Sequence, residues 1–268
     1  MKKQPMLAMF LALVAQQIVT GFPALGWHSL AIHIIAGCLA LVFGFIATFT
    51  RKGGRRHRLA GKIGVGLALT MLIPAFILLV LVNILPIAGH ISYQSDVRDL
   101  LLLIFLGVTY STLQGYRWAV NKKPKIDSDI LWIAVAVFIS LFAMYNVIDD
   151  LIIHPFYSDN LNLPMNPATA TILTASISAI FAYFAIDDIR SFVGCKVTSS
   201  ERILKHTYRI MNAMGGMVTA LSINNLGRIF VENDWNPLPV YVVPPTLFAA
   251  LTVILARRLN KQIDGNPA

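Results

Sequence analysis

Eight apolar stretches divide this sequence, and only short polar segments separate them. A helix needs about 20 mostly apolar residues to cross the hydrocarbon layer of a bilayer. A backbone in lipid must also satisfy its hydrogen bonds internally, which favours helices. We therefore predict an all-α polytopic integral membrane protein, a helical bundle with about eight transmembrane helices in a single domain of residues 1–268. The stretches are 6–22, 30–49, 63–87, 100–120, 130–148, 168–192, 210–230 and 240–255.

The supply of charge is too small for an ordinary soluble domain. Charged residues make up 13% of the chain, whereas a soluble domain carries about 25%. A net charge of +9 is compatible with a nucleic-acid partner. However, the cations lie in short clusters between the apolar stretches and form no continuous basic face. We therefore predict a lipid bilayer as the partner, and no nucleic acid.

The positions of the basic residues predict the orientation. Lysine and arginine stay on the cytoplasmic side of short loops. With eight spans, all of the 22 basic residues except Arg98 and Arg228 fall on one side. This pattern predicts cytoplasmic termini and a location in a bacterial plasma (inner) membrane. The first stretch follows Lys2 and Lys3 like a signal peptide, but no good cleavage site follows it, so we expect it to be retained.

A weak internal symmetry suggests two halves of four helices, residues 1–125 and 126–268. Basic residues with a histidine precede the third stretch, at 55–58, and the seventh, at 202–206. Parallel repeats of this kind occur in membrane transporters. The alternative is that any cytoplasmic loop collects basic residues.

Three histidines are candidate cofactor-binding residues: His33, His57 and His206. An ionisable group within the membrane indicates function by default. A b-type haem needs two neutral imidazoles at matched depth on facing helices, which His57 with His206, or His33 with His90 or His154, could supply. The alternative is that these histidines bond to backbone or lipid headgroups. No cysteine motif predicts a metal site.

Polar residues within the stretches predict a ligand site in the interior of the bundle. The strongest candidates are Arg228, which could reach Asp149 or Asp150, and the neighbouring pair Asn224 and Asn225. Such residues normally face other helices. The alternative is interhelical hydrogen bonding, worth about 0.6 kcal/mol per contact. The other polar residues are Gln16, Gln17, Asn83, Tyr110, Thr112, Gln114, Tyr145 and Asn146.

Residues 51–62, RKGGRRHRLAGK, are a second candidate binding surface. Six cations beside the inner leaflet would attract anionic lipid headgroups at about 1 kcal/mol each. The alternative is that they serve only to fix the topology.

No motif indicates soluble enzyme chemistry, and no catalytic residue is predicted. The pairs Asp149–Asp150 and Asp187–Asp188 lie at the ends of stretches. Adjacent carboxylates point to different faces of a helix, so we interpret both pairs as boundary charges. Gly215–Gly216 predicts close helix packing.

Residues 33–64 carry His33, Gly37, Gly44, His57, Arg58 and Gly61 in order. His206 and Arg209 follow at the start of a later stretch, with Ile210 before Met211. In these motifs the chain resembles a family of predicted bacterial membrane proteins, domain of unknown function 2306. The resemblance implies that His33, His57, Arg58, His206 and Arg209 act as a set. It implies no particular activity.

Together these features predict a protein that binds or transports a small molecule within its helical bundle. The first alternative is an electron-transfer protein with haem b and histidine axial ligands. The second is a structural or assembly protein without a ligand. Loss of a residue that only pairs helices should lower stability, whereas loss of a site residue should spare stability and remove binding.

Overall fold

Helices are the only regular secondary structure in the described part of the chain. The computed structural model describes residues 22–84, 95–120, 126–153, 167–194, 197–222, 233 and 238–264. A π-helical turn, Asp149–Ile153, extends the fourth helix. The all-α class is confirmed, and the first predicted stretch lies outside the described residues apart from its last residue. The helices are α1 (Phe22–Phe49), α2 (Arg55–Ile84), α3 (Ser95–Val120), α4 (Ile126–Ile148), α5 (Pro167–Phe192), α6 (Ser199–Ser222) and α7 (Leu238–Asp264).

Five of these helices are long and apolar enough to cross a membrane. The described part of α6 is too polar to qualify, since it contains buried Lys205 and Arg209. The chain thus has several helices of the membrane-spanning type, while the number eight and the side of the termini stay predictions. The candidate spans are Leu30–Phe49, Arg55–Ile77, Asp99–Val120, Asp129–Ile148 and Thr171–Phe192.

Large apolar side chains point outward from these helices. Phe49 is 74% exposed and Ile73 is 64% exposed, whereas the small Ala40 and Ala68 are buried. A surface of this kind would be unfavourable in water, because contiguous exposed apolar area promotes association. It is normal in lipid, where small residues bring helices together and large ones face the acyl chains.

The described helices form two compact units, one within residues 1–94 and one within residues 95–268. The first is a hairpin of α1 and α2. Gly53, with φ at 73°, makes the turn between them, a conformation that glycine adopts without strain. Farther along, a Cβ on Gly64 would lie 3.5 Å from the Ala40 carbonyl oxygen, so the backbones approach closely there.

The second unit contains α3 to α7. Helix α3 packs on α6, α4 on α5, and α6 on α7, while α3 also contacts α4 and α5. At the α6 contacts, a Cβ on Gly216 would lie 2.7 Å from Val108 Cγ2, and one on Gly215 would lie 3.1 Å from Phe248 Cβ. The prediction of close packing at Gly215–Gly216 is therefore confirmed.

An aromatic cluster joins α3, α4 and α5. The Tyr110 ring lies 5.4 Å from the Phe181 ring and 6.0 Å from the Trp132 ring, both edge to face. It also stacks on Phe184 at 6.2 Å. Such pairs contribute about 0.5–1.5 kcal/mol beyond their buried area. This packing holds Tyr110 in place.

A capping box fixes the start of α6. The Thr198 hydroxyl accepts from the Glu201 backbone N–H at 3.2 Å, and Glu201 Oε2 accepts from the Thr198 backbone N–H at 2.7 Å. The sequence signature for this cap is threonine followed three residues later by glutamate. The cap thus sets the register of the helix that carries Lys205 and Arg209.

Candidate functional site

The most unusual feature of the second unit is a fully buried arginine. Arg209 on α6 has no solvent-exposed surface. Its Nη2 donates to Asp188 Oδ1 at 2.5 Å and to Asp187 Oδ2 at 3.2 Å, both on α5. A buried charge is tolerated only when it is paired and hydrogen-bonded. The two carboxylates supply that pairing.

Tyr110 connects the same carboxylates to α3. Its hydroxyl donates to Asp188 Oδ2 at 2.7 Å, and Asp188 is itself buried. The interpretation of Asp187–Asp188 as boundary charges is therefore wrong for Asp188. Adjacent carboxylates do leave a helix in different directions, but Nη2 of Arg209 lies within hydrogen-bond distance of one oxygen of each.

Lys205 lies one helical turn before Arg209 and contacts Asp187. Its ammonium forms an ion pair with Asp187 Oδ1 and donates to the Asp187 carbonyl oxygen at 3.1 Å. Burial lowers the pKa of Lys205, while the neighbouring Asp187 carboxylate acts in the opposite direction. The two cations of α6 are thus both held by the end of α5.

Aromatic rings lie against both cations. The Arg209 guanidinium carbon is 4.9 Å from the Phe184 ring centroid and 5.8 Å from that of Trp118. Lys205 Nζ is 5.1 Å from the Trp118 centroid. Cation–π contacts contribute about 0.5–2 kcal/mol, and most when they are desolvated. Trp118 therefore lies where α3 meets the charged face of α6.

A second ion pair completes the group. Arg117, beside Trp118 on α3, pairs with Asp129 on α4 and donates to Gln114 Oε1 at 3.4 Å. We call the whole group the Arg209 cluster. Its members are Tyr110, Gln114, Arg117, Trp118, Asp129, Asp187, Asp188, Lys205 and Arg209.

Three N–H donors of the cluster have no hydrogen-bond partner among the described residues. They are Gln114 Nε2, Trp118 Nε1 and Arg209 Nε, and all three residues are more than nine-tenths buried. Tyr110, Gln114 and Trp118 follow each other at four-residue spacing, so they share one face of α3. Leaving a buried donor unsatisfied costs about 1–3 kcal/mol. The cluster thus has donors available for an acceptor.

The three candidate histidines each contact a backbone carbonyl oxygen. His33 Nδ1 lies 3.0 Å from the Met71 oxygen, and His57 Nδ1 lies 2.8 Å from the Ala47 oxygen. His206 Nδ1 lies 2.7 Å from the Gly115 oxygen. Because a carbonyl oxygen only accepts, Nδ1 is the protonated nitrogen in each case. A histidine that ligates haem iron through Nε2 commonly donates its Nδ1–H to a backbone carbonyl, so this contact is compatible with both alternatives and haem binding stays a prediction.

His33 and His57 lie at opposite ends of the α1–α2 hairpin, because their carbonyl partners do. They are therefore not at matched depth. No predicted pair joins these two residues, and the predicted pairs stay predictions, since His90 and His154 lie outside the described residues and His206 belongs to the other unit. No group of three or more His, Cys, Asp or Glu residues is placed to hold a metal within the described ranges.

The predicted ligand-binding residues divide into three sets. Arg209 is at the centre of the cluster, and Arg58 is exposed on α2. Arg228, Asn224 and Asn225 lie outside the described residues. Of the other polar residues, Tyr110 and Gln114 belong to the Arg209 cluster.

Asp188, Lys205 and Trp118 were not predicted as site residues from the sequence. The four-residue spacing of Lys205 and Arg209 could have indicated two cations on one face of α6, opposite the acidic end of the preceding helix. No such signal exists for Trp118, because its role depends on α3 packing against α6.

The chain was compared with protein-family models, curated proteins and solved structures, and no match was found in any of them. The resemblance to domain of unknown function 2306 therefore stays a prediction, and the evidence for function is the geometry of the cluster.

Proposed function

We propose that the protein is a multi-pass protein of a bacterial inner membrane that binds or transports a small molecule at the Arg209 cluster. Membership of the family named by domain of unknown function 2306 is part of this proposal. The observation that supports binding is the set of buried donors without partners at Gln114, Trp118 and Arg209. The outward-facing apolar side chains support the membrane location.

A purely structural network would not leave these donors unused. Buried polar groups in native proteins are nearly always hydrogen-bonded, and exceptions call for an explanation. The Tyr110–Asp188 bond is the kind of contact that a structural network needs. By contrast, Gln114 Nε2 and Trp118 Nε1 add desolvation cost without a described bond. A ligand that accepts hydrogen bonds offsets this cost when it binds.

Thermal unfolding of the detergent-purified protein separates the ligand-binding and structural alternatives without knowledge of the ligand. We expect Gln114→Met to lower the melting temperature less than Tyr110→Phe does, because it removes an unsatisfied donor and only a long 3.4 Å bond from Arg117. Tyr110→Phe should lower it, because Asp188 loses a buried partner. If Gln114→Met lowered the melting temperature as much as Tyr110→Phe, Gln114 Nε2 would also be bonded within the folded protein and the ligand proposal would fail.

We further propose that anionic lipid headgroups bind at residues 51–62. Arg51, Arg55, Arg56, Arg58 and Lys62 are all exposed, and the first turn of α2 contains no acidic residue. Cations at a helix N-terminus are unfavourable because they meet the positive end of the helix dipole. A lipid phosphate at this turn would relieve that repulsion.

A further inference from the structure

The charges of the Arg209 cluster balance. Its described residues include three cations, Arg117, Lys205 and Arg209, and three carboxylates, Asp129, Asp187 and Asp188. An uncompensated ion in a buried site costs several kcal/mol even after relaxation. A charged ligand would bring a charge that no member of the cluster is left to neutralise. The cluster therefore favours an uncharged ligand.

The pattern of free groups favours a ligand that accepts hydrogen bonds. Both oxygens of Asp188 are engaged, one by Arg209 and one by Tyr110. Both oxygens of Asp187 are engaged as well, by Lys205 and Arg209. Within the cluster, the groups without described partners are N–H donors, which match carbonyl oxygens. A sugar or an amine would bring donors that these carboxylates have little capacity to accept.

The surroundings favour a flat molecule. Trp118 and Phe184 lie against Arg209, and Tyr110 stacks on Phe184 and meets Phe181 edge to face. Aromatic rings prefer offset or edge-to-face contact with other rings. An uncharged, flat compound with carbonyl oxygens also partitions into a bilayer, from which it can enter a helical bundle.

On the basis of the proposed function, we infer that the Arg209 cluster binds an uncharged carbonyl compound of the quinone class. The N–H groups of Gln114, Trp118 and Arg209 donate to its carbonyl oxygens, and the aromatic side chains contact its ring.

Calorimetric titration of the full chain in detergent tests this inference. The probes are duroquinone, which is uncharged and only accepts hydrogen bonds, and benzoate, a flat anion. We expect duroquinone to bind and benzoate not to bind. Gln114→Met and Trp118→Phe should each weaken duroquinone binding about five- to tenfold, the effect of one lost hydrogen bond.

Thr112→Val is the matched control. Thr112 Oγ1 is another buried polar atom without a partner among the described residues. It lies two residues before Gln114 on the opposite side of α3, since a helix turns about 100° per residue. This variant should bind duroquinone like the unmodified protein. A melting curve of each variant confirms that it is folded before titration.

The remaining outcomes overturn the inference, and they differ in what they imply for the proposed function. Benzoate binding that Gln114→Met weakens would keep the ligand site but exclude an uncharged ligand. If duroquinone bound the unmodified protein and both cluster variants with the same affinity, the signal would come from uptake of duroquinone by the detergent. Binding of neither probe would exclude quinones, and the melting comparison of Gln114→Met with Tyr110→Phe would then decide the proposed function independently.

Discussion

Tyr110 on α3 and Asp188 on α5 are 78 residues apart in the sequence and joined by a buried hydrogen bond of 2.7 Å. This bond connects the aromatic cluster of the second unit to its charged cluster. Asp188 Oδ2 accepts this bond, and Asp188 Oδ1 accepts a hydrogen bond from Arg209. The position of Asp188 thus couples the packing of three helices.

The first prediction concerns this bond. Tyr110→Phe keeps the ring and its contacts but leaves Asp188 Oδ2 without its tyrosine partner. We expect a loss of about 1–3 kcal/mol in the free energy of unfolding, measured by denaturant titration in detergent. Tyr145→Phe is the control, because Tyr145 is 56% exposed and this change should have little effect. Equal losses for both variants would contradict the structural role of the bond.

The second prediction concerns the ion pair between Arg209 and Asp188. Arg209→Met leaves two carboxylates near the interior without their shared guanidinium, and removing one partner of a buried pair costs about 3–5 kcal/mol. Asp188→Asn removes one of those charges. We therefore expect the double variant to be more stable than the sum of the two single losses predicts. Strict additivity in this double-mutant cycle would show that the two side chains do not interact.

The sequence predicted the helices of the second unit better than its charged cluster. A long apolar stretch indicates a membrane helix whichever neighbours that helix packs against. Gly215–Gly216 indicated a close helix contact because small residues allow two helices to approach closely. The burial of Asp188 has no local signal. A carboxylate at the end of an apolar stretch faces headgroups or a neighbouring helix, depending on which helices meet. That depends on contacts such as Tyr110–Asp188, which hydropathy does not encode.

Arg209 was predicted from the sequence only in part. Its resemblance to a family motif marked it as a site residue, but its partners were not predicted. Lys205 and Arg209 looked like cations of a cytoplasmic loop because they precede the apolar stretch. The structure instead includes both in α6, which starts at Ser199. Helix boundaries at a membrane surface are hard to locate, since polar residues of the first turns can point into the bundle.

The third prediction concerns the start of α6. Thr198→Ala removes the side-chain oxygen that accepts from the Glu201 backbone N–H. We expect the free energy of unfolding, measured by denaturant titration in detergent, to fall by about 0.5–2 kcal/mol, as for other N-cap residues. Thr198→Ser retains the hydroxyl and should behave like the unmodified protein. A loss of similar size in the serine variant would show that the threonine methyl group, and not the cap, is responsible.

The fourth prediction concerns the histidines of the hairpin. His57→Ala removes the contact with the Ala47 carbonyl oxygen across the α1–α2 turn, and we expect it to lower stability by about 0.5–1.5 kcal/mol. The absorption spectrum of protein expressed with ample haem should show no Soret band, whether oxidised or reduced with dithionite. A Soret band that disappears in His33→Ala or His57→Ala would contradict a purely structural role of these histidines and support the haem alternative.

The last prediction concerns the basic turn at residues 51–62. Replacing Arg55, Arg56 and Arg58 by glutamine removes three exposed cations from the first turn of α2. Each contributes about 1 kcal/mol to attraction of an anionic headgroup, so the triple variant should retain much less phosphatidylglycerol in native mass spectra. Arg257 and Arg258 on α7 are also exposed, and replacing both by glutamine is the control for a general loss of positive charge. Equal lipid loss in both variants would indicate nonspecific attraction, whereas unchanged retention in the triple variant would leave topology as the only role of this turn.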